Sequence, residues 1–431
     1  MRKLLSLTVA TLVTTSAFAG GYRIAMQGQK QLAMGHTGVA VVNSAESTFF
    51  NPAGLSFLEN KFNASIGGNY LSSHTKFQNV DRNLAYESKN AGTPFSAYFS
   101  YRINNWLTAA LGVYSPYGST VEWDKNWSGS HLVNKISLQA IFIQPTIAIK
   151  ISDYFSIGGG PIYATGGVEF DKNLFNGNGV TDENGNRPNV LIEDSGIGAW
   201  GYNVGFMLNP TDKLRLGFNY RSEINMKAER GEATFSNIPE FMVIGGLGYQ
   251  NGTTAFNAAL PLPAEASVGI SYQITDKFLV AFDYNRTFWR AYDALTVEFP
   301  DMPGAPINPN NPNVNPRNYK DVNAYRLGAQ YQVNDTWTVR GGWYYDESPV
   351  QKGYFAPETP RNDSYAFTGG LSYNVNSKLA VDVSFLYLVF SEVNASYDHH
   401  AEPVSGGQTS SFGGTFKNSA FAPGIGLSYK L

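Results

Sequence analysis

The stretch Tyr325 to Tyr345 reads YRLGAQYQVNDTWTVRGGWYY. Tyr325, Leu327, Ala329, Tyr331 and Val333 alternate with Arg326, Gly328, Gln330 and Gln332. After Asn334-Asp335 the pattern resumes: Trp337, Val339, Gly341, Trp343 and Tyr345 alternate with Thr338, Arg340, Gly342 and Tyr344. A period of two means two strands, and Asn-Asp between them is a turn signal. The first face of each run carries no charge. Lysine or arginine there would cost roughly 2–4 kcal/mol at a bilayer midplane, so the pair reads as two membrane-crossing strands with a polar inner face.

The same pattern recurs along the chain. Leu107, Ala109, Leu111 and Val113 form one apolar row. Leu214, Leu216, Phe218 and Tyr220 face away from Arg215 and Arg221. Phe278, Val280, Phe282 and Tyr284 face away from Asp283, and Leu379, Val381, Val383, Phe385 and Tyr387 face away from Asp382. Arg215, Arg221, Asp283, Arg326, Arg340 and Asp382 are thus expected inside, as a polar network in a lumen.

Connections supply an independent test. Short polar turns lie at 104–105, 152–153, 209–212, 275–276, 334–335 and 374–377. A bulky residue follows each one: Trp106, Tyr154, Leu214, Phe278, Trp337 and Leu379. Between them lie long Gly, Asn or Pro-rich stretches at 76–93, 123–131, 169–195, 225–263, 299–319, 347–362 and 398–417. Short and long alternate strictly, as periplasmic turns and extracellular loops do in bacterial barrels. The expected fold is all-β: a fourteen-stranded antiparallel transmembrane barrel, closed by a last strand from Ser419 to Leu431.

Composition agrees. Aromatics are 14%, Gly numbers 44 and charged residues are 15%, yet mean hydropathy is −0.23. Soluble domains average about 25% charged. With no Cys, disulfides, thiolate metal sites and a Cys nucleophile are excluded. Met1-Arg2-Lys3, the apolar run Leu4 to Thr15 and Ala17-Phe18-Ala19 read as a signal peptide over residues 1–19. Its removal takes the formal charge from −3 to −5, which argues against a nucleic-acid partner.

Residues 20–58 precede the barrel domain, 59–431. Gly35 to Ser56 reads GHTGVAVVNSAESTFFNPAGLS. Asn51-Pro52-Ala53-Gly54 is a turn signal, but Val39 to Val42 and Phe49-Phe50 are too apolar for a solvated linker. An N-terminal hatch folded inside the lumen satisfies both.

At this point the chain resembles the FadL family of outer-membrane long-chain fatty-acid transporters. The residues that carry the resemblance are Gly38-Val39-Ala40-Val41 with Phe50 to Leu55, Tyr114 to Thr120, Leu260-Pro261-Leu262-Pro263, Asn285 to Trp289, and Asp335 to Gly342 followed by Asp346 to Val350. There are two departures. The sixth loop reads Pro360-Arg361-Asn362-Asp363-Ser364 where the family often has Pro-Asp-x-Asp-Arg, and the chain ends in Leu431 rather than Phe. The resemblance implies a hatch, capture of a hydrophobic ligand by extracellular loops, and sideways exit beside a kinked third strand. Pro116, Tyr117 and Gly118 would form that lateral gate.

The stretch 225–263 carries exposed apolar runs, which usually mark a ligand or partner. Phe241, Met242, Val243, Ile244, Phe256 and Leu260 are the expected ligand groove. Asp182 to Glu193 imitates a calcium loop, but Arg187 occupies the position that needs Gly. No G-x-S-x-G occurs. The expectation is a monomeric uptake protein, not an enzyme, with no cofactor and no metal. It would sit in the outer membrane of a Gram-negative bacterium, with lipid around it and a fatty acid or similar hydrophobic molecule as ligand. An aromatic hydrocarbon channel, a general porin and an outer-membrane lipase are the alternatives.

Overall fold

The structure, a computed structural model, describes residues 21–176, 179–244, 249–302, 314–401 and 409–431. The expected signal peptide lies outside them. Twenty-one strand segments among these residues join across bends into fourteen strands. They are β1 (Phe62–Asn69 and Leu71–Asn79), β2 (Ala85–Gly92 and Phe95–Arg102), β3 (Leu107–Glu122), β4 (Lys135–Lys150) and β5 (Phe155–Asn173). Next come β6 (Asn189–Leu208), β7 (Leu214–Arg221 and Ile224–Ser236), β8 (Gly252–Leu262 and Glu265–Thr275), β9 (Phe278–Thr287 and Ala294–Glu298) and β10 (Val314–Pro316 and Val322–Gln332). The last are β11 (Trp337–Asp346), β12 (Ser364–Asn374), β13 (Leu379–Phe390 and Val393–Ala401) and β14 (Thr409–Lys430). Each pairs antiparallel with its neighbours, and β1 closes on β14 from Asn63↔Lys430 to Asn69↔Gly424. Closure removes the sheet edges, which in hydrocarbon would leave backbone groups unsatisfied.

Register places the faces as the alternation demands. Phe282 stands opposite Leu327 and Leu327 opposite Trp343, all on the outer surface. Asp283 stands opposite Arg326, and both are buried in the lumen. The short turns are tied by their own side chains. Asn104 Oδ1 accepts from the amides of Trp106 and Leu107 at 3.0 and 2.9 Å. Asn334 Oδ1 does the same for Thr336 and Trp337 at 2.9 and 2.8 Å. These Asx turns explain why Asn recurs there. Trp106, Tyr154 and Trp337, one to two residues on, are exposed on the outside.

The long-loop end differs from expectation. Much of 225–263 is strand: Ile224–Ser236 pairs with Gly252–Leu262, with a bulge between Glu229 and Gly231. Alternation continues there, with Met226 and Ala228 buried against Lys227 and Glu229 outside. Only the outer face has turned polar, because it has left the apolar layer. Strands β4 to β9 extend likewise and build a walled space above the lumen.

Candidate ligand chamber

Residues 21–58 lie within the ring of strands. They form α1 (Gln29–Ala33), α2 (Ser47–Phe50) and a 3-10 turn, Pro52–Phe57. Asn51 explains the Asn-Pro signal. Its Oδ1 accepts from Ala53 N at 3.2 Å, and its Nδ2 donates to Val39 O and to Phe206 O of β6 at 2.8 and 2.9 Å. The wall comes close because inward positions are small: a Cβ on Gly217 would stand 2.1 Å from Val39 O, and one on Gly328 2.2 Å from Met34 O.

Polar bonds tie this segment to strands all around the ring. Gly38 N and Val39 N donate to Asp283 Oδ2 at 2.7 and 3.0 Å. Ser271 Oγ donates to Ala40 O at 2.7 Å and Gly35 N to Thr368 Oγ1 at 2.8 Å. Arg23 contacts Glu265 at 2.9 Å and Asp346 at 2.7 Å, and Arg221 contacts Glu265 at 3.2 Å. Removing one member of a buried pair of this kind costs about 3–5 kcal/mol.

Strand β3 is interrupted as its Pro and Gly suggest. Its pairing with β2 runs from Thr108↔Arg102 to Tyr114↔Ser96 and stops there. Its register with β4 slips between Tyr114 and Tyr117. Residues 22–24 occupy the edge that β2 leaves. Ile24 N donates to Pro116 O at 2.8 Å, Gly118 N donates to Tyr22 O at 2.9 Å, and Arg23 stands opposite Tyr117.

Above this point six neighbouring strands surround an apolar space that opens to solvent at its mouth. Its walls are aliphatic and aromatic: Ile136 and Leu138, Val168 and Phe170, Ile192, Met226 and Ala228, Phe256 and Leu260, Leu295 and Val297. Its floor is Tyr22 and Tyr117, whose hydroxyls donate to the backbone carbonyls of Pro261 and Pro263. Below Tyr117 the lumen turns ionic, lined by Arg23, Arg221, Arg326, Glu265 and Asp283. The mouth mixes apolar and polar groups. Phe170, Ile192, Leu295, Val297 and Glu358 are shared with an upper cavity that adds Lys172, Tyr249, Arg317, Tyr397 and His400. Arg317 pairs with Glu358 and donates to Tyr397 OH at 3.0 Å. Tyr249 OH is buried without a hydrogen-bond partner among the described residues. Beside this cavity His131 meets His400 with ring centroids 4.7 Å apart. Burial, with Lys172 and Arg187 nearby, holds His131 down to about 3. Burial, Lys172 and His131 hold His400 down to about 2.

The family described as outer membrane protein transport protein (OMPP1/FadL/TodX) matches residues 10–431. The chain belongs to this family. It is 25% identical to the 47 kDa outer membrane protein of Pasteurella multocida, over 88% of this chain and 89% of that protein. It is 22% identical to the long-chain fatty acid transport protein of Escherichia coli O6:H1, over 88% of each. A Pseudomonas aeruginosa FadL homologue shares the fold at a TM-score of 0.81 and 19% identity, covering 95% of this chain and 100% of that one. The Ralstonia pickettii toluene transporter TbuX does so at 0.64 and 20%, covering 94% and 98%. This FadL-family protein is an outer-membrane transport protein of a Gram-negative bacterium.

Within this family member the expected site residues separate into groups. Phe256 and Leu260 line the chamber, and Met242 is buried in the main hydrophobic core without lining the chamber. Phe241 and Val243 face solvent, 59% and 46% exposed, because one turn of α3 (Glu240–Ile244) cannot aim neighbouring residues at one side. Ile244 ends that turn, and its side chain lies outside the described residues. Pro116, Tyr117 and Gly118 are buried against residues 22–24. Arg221, Asp283 and Arg326 stand together beneath the chamber. Arg340 and Asp382 meet elsewhere through Ser372, and Arg215 lines a cleft with Glu59 at the short-turn end of the barrel. Tyr22, Arg23 and Glu265 were not singled out by sequence, and Asp346 entered only as the first residue of a motif that carries the family resemblance. For the first three the only signal was polarity at inward positions.

Proposed function

We propose that this protein takes a hydrophobic small molecule across the outer membrane and releases it sideways. The ligand enters the upper cavity, sinks into the apolar chamber and stops at Tyr22 and Tyr117. Residues 20–58 act as the hatch, 59–431 as the barrel and 1–19 as the export signal. One monomer contains the whole path. The observation that carries this is the change of chemistry at Tyr117. Going down, the ligand would meet three arginines and two carboxylates. Going sideways, it meets the stretch of wall where Tyr22 to Ile24 pair with β3 in place of β2. Each buried methylene is worth about 0.8 kcal/mol, so the lateral path into hydrocarbon conserves the binding energy that a wet lumen would lose.

Polar groups gather at the chamber's upper end, with Lys172 and Tyr249 at the rim. This favours an amphiphile, a long-chain fatty acid held by its carboxylate there and by its tail below. An aromatic hydrocarbon would need the chamber alone. Equilibrium binding of palmitate, its alcohol and toluene to the purified barrel separates the two. Palmitate should bind tightest, and Lys172→Met should weaken palmitate about tenfold while sparing the alcohol. Equal loss for acid and alcohol would remove the head-group assignment. Tight toluene binding unaffected by palmitate would favour the hydrocarbon.

A further inference from the structure

We propose that the outer surface shared by β1, β2 and β14 binds the phosphate-bearing headgroup of an outer-leaflet glycolipid. This site is on the lipid side of the wall and is independent of the transported ligand. Register alone defines it. Tyr70, Tyr387 and Phe421 are exposed, 53%, 45% and 44%, and are the last outward-facing aromatic residues of adjacent strands before the long-loop end. From Tyr429 to Phe421 is the length of strand that crosses a band roughly 25 Å tall. Immediately beyond, on the same outer face, Lys89 stands opposite His74, and His74 opposite Ser419. In the next row Glu87 stands opposite Lys76, and Lys76 opposite Lys417.

Two lysines directly opposite on paired strands repel each other. The local acids do not cancel the cations. Glu87 is shared by Lys89 at 2.9 Å, His74 at 3.2 Å and Lys76 at 3.5 Å. Lys417 has Glu392 at 3.7 Å. Three lysines therefore face two carboxylates across three strands, a width of about 10 Å at ordinary strand spacing. The lysine side chains are 57–69% exposed, so the ammonium groups can turn to a ligand. Their height decides the partner. They sit on the wall at headgroup depth, continuous with Phe421 and Tyr387 below. A molecule that fills this surface is apolar beneath and anionic above, which describes a phosphorylated lipid rather than an acidic peptide or a free anion.

The test is native mass spectrometry of the full mature barrel titrated with diphosphorylated lipid A, its dephosphorylated form, and inorganic phosphate. The wild-type protein should retain the diphosphorylated lipid at least about tenfold better than the dephosphorylated one. Lys76→Glu with Lys417→Glu should abolish that difference, and Glu87→Gln should enlarge it. Heat-modifiable migration of each variant shows that the barrel is intact. Equal retention of both lipids by the wild type, or an unchanged preference in the double variant, overturns the proposal. Displacement of the lipid by equimolar inorganic phosphate would reduce the patch to a simple anion site and overturn it as well.

Discussion

The amide of Ile24 donates to the carbonyl of Pro116 across 2.8 Å. This bond joins the start of the N-terminal segment to the one place where β3 has lost its β2 partner. Pro116 cannot donate in return, so the added strand is held by few bonds. Under the proposed lateral release this short segment would move while the fourteen-strand ladder stays intact, because the ladder does not depend on it.

Arg23 should be the anchor of that segment. Arg23→Met leaves Asp346 buried without its guanidinium and removes one of two arginines from Glu265. The segment should loosen by about 3–5 kcal/mol while the barrel stays folded. Ion conductance in planar bilayers should rise and heat-modifiable migration should persist. Wild-type conductance in this variant would mean that the ion pairs do not hold the seal.

Ligand affinity should follow the chamber rather than the outer loop surface. Ala228→Trp places an indole in the chamber. Binding of palmitate should fall at least about tenfold, since overpacking such a space costs about 1–3 kcal/mol. Phe241→Asp alters a side chain that already faces solvent, so equilibrium affinity should change less than about twofold. The reverse order would return the binding site to the surface of α3.

The strands were legible because hydrocarbon enforces them. Any charge in the row from Leu327 to Val333 would be costly, so the period of two survives in every crossing. The chamber was not legible for the converse reason. Beyond the membrane the outer positions become Lys227, Glu229 and Lys135, and the alternation looks like a polar loop. Phe241 and Val243 attracted notice by hydropathy, whereas Met226 and Ala228 carry the wall. Alternation also gives a face but not a height or a partner. Arg23 meets Glu265 and Asp346 across 242 and 323 residues, and no local pattern encodes that.

The contact between His131 and His400 should make the extracellular loops acid-sensitive. Both rings are held neutral when folded, at about 3 and about 2, mainly by burial. An opened loop protonates at the ordinary value of about 6.5. Their stabilisation is therefore complete above about 6.5 and declines as pH falls toward 3. The groups facing them include the cations Lys172 and Arg187, which oppose protonation. Hydrogen-exchange protection of residues 123–134 should drop between pH 7 and pH 5. His131→Phe with His400→Phe should flatten that dependence. A drop of equal size in the double variant would assign the acid response to other groups.

The strongest test of lateral release uses the absence of cysteine from the chain. Ile24 and Pro116 are paired across antiparallel strands, which sets their Cα atoms roughly 5.5 Å apart, within the range a disulfide spans. Ile24→Cys with Pro116→Cys should therefore cross-link when oxidised and fix the N-terminal segment over the gap in β3. The upper cavity and most of the chamber wall lie on other strands, so palmitate should still bind the oxidised barrel. Uptake by cells should fall sharply, because a bound molecule would have no way into the hydrocarbon. Reduction should restore uptake in the same cells, which excludes misfolding as the cause. If the oxidised variant transports as fast as the reduced one, the ligand leaves without displacing Tyr22 to Ile24. The wall beside Pro116 would then not be the exit.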